Sequence, residues 1–210
     1  SARVFELLHP LAPVLNEAVT SDRKYLRWGI GMEQGTLVEY HLAGAALASQ
    51  AEVRADHLAQ ADTFSQDAVA KTKRNAFSLL TRSRVEDALK KHDAAVATAE
   101  EALQVARQPC PNGWLCVSTL RLTVENPLQL HTRHDDSAAA EKMLQDAQAF
   151  LHEKFPDTLP IHALILQRLG HVQRLQGNFA GAKESLTEAK RRLEQTEVPV
   201  PARIKEIDEE

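Results

Sequence analysis

Between residues 169 and 189 the chain carries small residues on a spacing that calls for two helices packed at close range. Gly170, Gly177, Ala182, Leu186 and Ala189 follow one another at offsets of 7, 5, 4 and 3. Each offset has a mechanical reading. Gly170 has no Cβ, so a second helix can approach its backbone; Gly177 tolerates the left-handed conformation that ends a helix. Ala182 and Ala189 lie two turns apart on one face of the next helix, the face turned towards the first.

The same spacing recurs upstream. Ala140, Leu144 and Ala147 stand 42 residues before Ala182, Leu186 and Ala189, and Ala95, Ala99 and Ala102 stand another 45 before those. In these earlier copies Asp135 and Lys90 occupy the place of Gly177. A fourth copy on this period centres near Ala51 to Ala61, matched only by its small residues. Repeats at such periods belong to proteins built from stacked helical hairpins.

The last copy, with Leu169-Gly170, Gly177-x-Phe179, Ala182, Leu186 and Ala189, resembles the tetratricopeptide repeat (TPR) family. It departs from the family pattern at Gln173, where an aromatic residue is usual. Phe155-Pro156-Asp157-Thr158 is similar to the inter-repeat turn of the longer, kinesin-light-chain-like type of repeat. The resemblance covers 76–195 and extends to 24–75 by extrapolation. It implies an all-α fold, an α-α superhelix or solenoid of TPR-like helical hairpins, with an N-terminal helix and turn at 1–22, a repeat domain at 23–197 and a C-terminal tail at 198–210. It further implies a concave groove lined by the first helix of each hairpin. The groove positions carried over are Leu164, Gln167, His171 and Arg174 in the last copy, and Phe77, Leu80, Arg84 and Asp87 in the copy at 76–108.

Composition agrees with helices and narrows the function classes. Of 210 residues, 43% are hydrophobic, which suffices for a sizeable core, and alanine is the commonest residue, with 8 glycines and ten aromatic residues. Helix formers fill roughly 40–74, 76–108, 137–153 and 161–195. Leu120 to Val124 alternates apolar and polar residues; it reads as helix kinked or broken at Pro127, with a short strand as the alternative. Ser21 or Asp22 is a plausible N-cap for the helix that follows the N-terminal segment. The 25 basic and 29 acidic side chains leave a formal charge of -4 and no basic footprint, so nucleic acid is not an expected partner. No run is long and apolar enough to span a membrane, and no direct membrane insertion is expected. The chain begins Ser1-Ala2, as expected of a processed product or a piece of a larger protein.

Sites of chemistry are few. Cys110 and Cys116 flank Pro111-Asn112-Gly113-Trp114-Leu115, turn residues that allow a disulfide, with two unrelated thiols as the alternative; a bridge would point to the periplasm or outside the cell, free thiols to the cytoplasm. The compartment is left open between these. His131, His134 and Asp136 form a metal-capable cluster, but they fall on a hairpin turn where Asp135, Asp136 and Ser137 suit the start of a helix, and no metal site is assigned. Gly29-Ile30-Gly31 with Gly35 lacks the dinucleotide-binding spacing and reads as glycine for close helix approach or a helix break. The remaining histidines are mostly expected at the surface or half-buried. The mixed-sign run Lys183 to Glu194 reads as a solvated helix face.

The expectation is a non-catalytic scaffold that binds a peptide or helix of a protein partner, without a cofactor. The alternative is a small-ligand sensor domain of a regulatory protein. A hydrolase built on His131, His134 and Asp136 is a more distant third.

Overall fold

The computed structural model describes residues 2–14, 16, 30–108 and 113–196, in which there are helices and no strand. Ser21, Asp22, Gly29 and Cys110 lie outside the described residues, and Cys116 is described only as a backbone position within a helix. The chain divides into two compact units, Ser1–Pro109 and Cys110–Glu210. Among the described residues the first holds α1 (Ala2–Leu8), α2 (Ile30–Leu47), α3 (Ala51–Lys71), α4 (Ala76–Ala88) and α5 (His92–Ala106). The second holds α6 (Gly113–Arg133), α7 (Ser137–Lys154), α8 (Leu159–Leu175) and α9 (Phe179–Glu194).

Helices pack chiefly on their chain neighbours, and α2 also touches α4. Three hairpins, α4/α5, α6/α7 and α8/α9, turn by one mechanism. Gly177 has φ of 76°, and Lys90 and Asp135, aligned with it in the sequence, have φ of 61° and 56°. In each turn the left-handed residue donates its N–H to a carbonyl three residues back: Lys90 to Asp87 (2.9 Å), Asp135 to Thr132 (3.4 Å), Gly177 to Arg174 (3.0 Å). The next residue donates five back: Lys91 to Glu86 (2.8 Å), Asp136 to His131 (2.9 Å), Asn178 to Gln173 (2.8 Å). This is the Schellman pattern, which satisfies two carbonyls that the helix end leaves without partners. Asp136 and Asn178 then cap the following helix, accepting from Ala139 N and Gly181 N, each at 3.1 Å.

The second helices bury the same positions. Ala95, Ala99 and Ala102 in α5, and Ala140, Leu144 and Ala147 in α7, are fully enclosed, as is Ala189 in α9. A Cβ built on Gly170 would lie 2.7 Å from Leu186 Cγ and 3.2 Å from the Ala182 carbonyl oxygen, so α8 and α9 meet backbone against side chain at that point. Around this contact Ala163, Leu166, Ala189 and Leu193 form a core cluster.

In the α2/α3 hairpin the loop at 48–50 has no left-handed residue. Its second helix still buries Ala61, Ser65 and Ala68, the same four-and-three spacing, 34 residues before Ala95 rather than 42 to 45. The small face therefore sits later in the chain than the Ala51–Ala61 extrapolation. The close contact here is at Gly44, where a Cβ would lie 2.7 Å from the His57 ring, whereas Gly35 leaves ordinary room for one, 3.9 Å from Thr81 Oγ1.

Pro127 does not break its helix. α6 is continuous from Gly113 to Arg133, with Pro127 inside it. The residue lacks one donor, the one that would bond the Thr123 carbonyl, but Leu120, Val124, Leu128 and Leu130 on either side are all buried, and packing outweighs the lost hydrogen bond. The strand alternative for 120–124 is excluded by the same span.

The mixed-sign face of α9 is laced by ion pairs, Glu188 to Arg191 (2.6 Å) and to Arg192 (2.8 Å), which hold the Glu188 carboxyl down to about 2.

The turn geometry sets the sign of three substitutions. Lys90→Gly and Asp135→Gly are expected to raise stability by about 0.5 kcal/mol each, because a left-handed Cβ is removed, and Gly177→Ala to lower it by about 1 kcal/mol. Urea midpoints at constant m-value check all three. Gly170→Ala, which drives a Cβ into Leu186 and the Ala182 carbonyl, should cost about 1–3 kcal/mol by the same measurement.

Candidate binding surfaces and buried polar sites

In the second unit a cavity of about 270 Å³ opens between α6 and α8, bounded by Leu128, Thr132, Arg133, Arg168 and His171. Glu125 of α6 closes one side and accepts from Arg168 Nε at 3.1 Å. Arg174, exposed one turn beyond His171, has its Nη2 3.5 Å from His171 Nδ1. The surface thus places three guanidinium groups and an imidazole around an apolar floor made by Leu128, with one carboxylate among them. Such a surface favours an anionic group that sheds little water elsewhere.

The family-derived positions are only partly brought to it. His171 lines the cavity and Arg174 stands at its edge, but Leu164 and Gln167 are buried, at 6% and 5% exposure. α8 is enclosed continuously from Ile161 to Gln167, so the open strip runs instead through Arg168, His171 and Arg174, at intervals of three. The open strip keeps His171 and Arg174 and takes in Arg168, about 40° of helix from Leu164, in place of Leu164 and Gln167. Three-residue spacing of cations on α8 was the available sequence signal; the contributions of Glu125 and Arg133 from α6 had none.

In the first unit α2 and α4 lie side by side through an Arg84–Glu39 ion pair. Phe77 is exposed at 48% and Leu80 half-buried on the same helix. Asp87 sits near the end of α4, its Oδ1 3.1 Å from His92 Nδ1 at the start of α5. Of the four expected residues in this copy, Phe77 and Leu80 offer apolar surface, while Arg84 and Asp87 already face charged or imidazole partners.

His131 is buried, its Nδ1 3.8 Å from Asp136 Oδ2, and His134 is exposed in the turn. Asp136 has the helix-cap role described above, which agrees with the reading of this stretch as a turn. No helix of the described residues is long and apolar enough to cross a membrane.

Two histidines depart from the surface expectation, and both link helices. His162 at the start of α8 donates from Nε2 to the Phe155 carbonyl (3.0 Å), and its Nδ1 accepts from Gln148 Nε2 (3.3 Å), an arrangement that needs the neutral ring. Burial pushes its pKa below the ordinary value, against the opposite pull of the Phe155 carbonyl. His41 of α2 faces His57 of α3 with Nδ1 to Nδ1 at 3.0 Å, so one ring donates and the other accepts. Burial, and then the neighbouring His57, lower His41 to about 4, with Asp56 pulling weakly upward. Phe5 of α1 stacks on Tyr40 beside this pair, at 4.9 Å between centroids, and His9 Nδ1 lies 3.0 Å from the Tyr40 hydroxyl.

No family model matches the chain, and no curated protein matches its sequence.

The buried imidazoles give a signed pH dependence. Protons bind the unfolded His41 more readily than the folded one, so its contribution to stability is complete above about pH 6.5 and lost as the pH falls to about 4. The full shift corresponds to a loss on the order of 3 kcal/mol. Thermal unfolding between pH 7 and 4 checks it, and His41→Phe, which stacks on Phe64 without titrating, should flatten the slope.

Proposed function

We propose that this chain is a non-catalytic, TPR-like scaffold of helical hairpins, and that the surface between α6 and α8 binds an acidic peptide or helix of a protein partner. The observation that carries the reading is the cavity flanked by Arg133, Arg168, His171 and the nearby Arg174, on helices whose hairpins share one turn geometry and one buried small-residue face. Rigid hairpins support this use, since they hold widely separated side chains at fixed distances without spending order on binding. Leu128 and the stems of the arginines supply apolar contact, and the guanidinium groups supply bidentate donors for carboxylates. Stacking of the hairpins into a superhelix belongs to the same proposal.

The Arg168–Glu125 pair serves as a latch in this reading. An incoming carboxylate that takes over the Arg168 guanidinium replaces an exposed pair worth little by itself, so the exchange costs little.

A peptide-display selection against the protein tests the proposal. It should return sequences with acidic residues next to an apolar anchor. Arg168→Glu and Arg174→Glu should each weaken the best peptide by about tenfold or more in fluorescence anisotropy, with the fold intact by circular dichroism. Absence of any saturable peptide, or affinity unchanged in both variants, overturns it.

A further inference from the structure

The first unit holds a cavity of about 340 Å³, bordered by α2, α3 and the segment that follows α1. Tyr40, His41 and His57 stand in its wall, and His9, Asn16 and Gln60 lie on its exposed side. The chemistry of this wall rests on two imidazoles. His41 comes from α2 and His57 from α3, and their Nδ1 atoms lie 3.0 Å apart. A hydrogen bond accounts for that separation in the chain by itself. The same separation suits two ligands on one metal ion, because metal–imidazole bonds of about 2.1 Å at a right angle put the nitrogens about 3.0 Å apart. A tetrahedral angle would require about 3.4 Å.

Both rings are held in place before any ion arrives. A Cβ on Gly44 would come within 2.7 Å of the His57 ring. Gly44 lies one turn beyond His41, so the missing side chain seats His57 over the turn that carries His41. His41 stacks on Phe64 of α3, with 5.6 Å between centroids, and meets Tyr40 edge to face at 5.0 Å. Phe5 of α1 abuts His57 edge to face at 6.2 Å. Rings fixed in this way lose little freedom on binding. The field around them also suits a cation. Asp56, whose carboxylate accepts from Gln60 Nε2 at 2.8 Å, acts on His41 as a negative charge, and none of the described residues lining the cavity is a lysine or an arginine.

From the two Nδ1 atoms, their separation and the cavity beside them, we infer a site for a divalent transition-metal ion that favours right-angled coordination, copper(II) before nickel(II). Copper leads because nitrogen sites hold it most tightly among the divalent first-row metals. His41 and His57 are the two protein ligands, and water in the cavity takes the remaining positions. Ligation moves the proton shared between the Nδ1 atoms to Nε2 of the ring that donated it, so each imidazole stays neutral and no proton is lost. The ion replaces one hydrogen bond with two metal bonds between α2 and α3, and it stabilises the folded chain by mass action.

The probe is copper(II) sulfate, added to the full chain in a buffer that does not chelate it. Isothermal titration should show one saturable site above the weaker background of exposed histidines. Electron paramagnetic resonance at one equivalent should show splitting from two nitrogens. The same equivalent should raise the melting temperature, and EDTA should reverse the rise. His57→Ala and His41→Phe each remove one ligand and should weaken the site by about tenfold or more, with the fold checked by circular dichroism. His152→Ala, at an exposed histidine of the second unit, should leave it unchanged. The spectrum of the unaltered chain decides the matter even where a variant does not fold: splitting from a single nitrogen, or no saturable site, overturns the inference. Affinity that both ligand variants leave unchanged, or that His152→Ala removes, overturns it as well. Arg168→Glu and Arg174→Glu should leave the copper titration untouched, so the two proposals fail separately.

Discussion

The structure depends on how closely two helices approach when one of them presents almost no side chain. In α5, α7 and α9 the contacting face is built on alanine or a residue of similar role at four-and-three spacing, and in α3 on Ala61, Ser65 and Ala68. At such a face dispersion and burial are gained per unit of backbone rather than per side chain, so shape matters more than volume. The consequence is visible at Gly170, where even a methyl group has no room. Everything else in each hairpin, including the direction in which the first helix turns its remaining faces, follows from that contact and from the turn that sets its register.

The turn is solved three times by one backbone geometry and by three different residues. Glycine at 177 takes the left-handed conformation without a Cβ penalty, while Lys90 and Asp135 carry that penalty within their turns. The two turns with strained residues are tolerated because the Schellman hydrogen bonds and the enclosed alanines on the following helix over-determine the conformation. The same balance explains α6, in which burial on either side of Pro127 carries the helix across a missing hydrogen bond.

Polar groups inside the units serve two ends. His162 with Gln148 and the Phe155 carbonyl, and His41 against His57, join consecutive helices, and burial of His162 and His41 disfavours their protonation, at the cost of tolerance to acid. Arg82, by contrast, donates to three residues on two helices, Asp62, Ser65 and Glu86, while Oε2 of Glu86 is enclosed without a donor among the described residues. The surface between α6 and α8 has another character, with Arg133, Arg168 and the nearby Arg174 around an apolar floor and Glu125 paired to Arg168.

Much of the fold was legible in the chain alone. Helical content, the three hairpin turns, the left-handed role of position 177, the tight contact at Gly170 and a cap within Asp135 to Ser137 follow from local stereochemistry, which acts over a few residues and leaves a pattern in the sequence, whereas the left-handed conformation of Lys90 and Asp135 was shown by the structure, since neither residue lacks a Cβ. The assignment of faces did not follow. Leu164 and Gln167 carry side chains that suit a groove, and only the enclosure of α8 on nearly every side put them in the interior and left Arg168 in the open strip. The partners of the buried groups were equally hidden, since Arg82 meets Asp62 and Ser65 across twenty and seventeen residues, and Glu125 meets Arg168 across forty-three. Periodicity tells which residues share a face of one helix; what that face meets is decided by packing between helices, which no local spacing encodes.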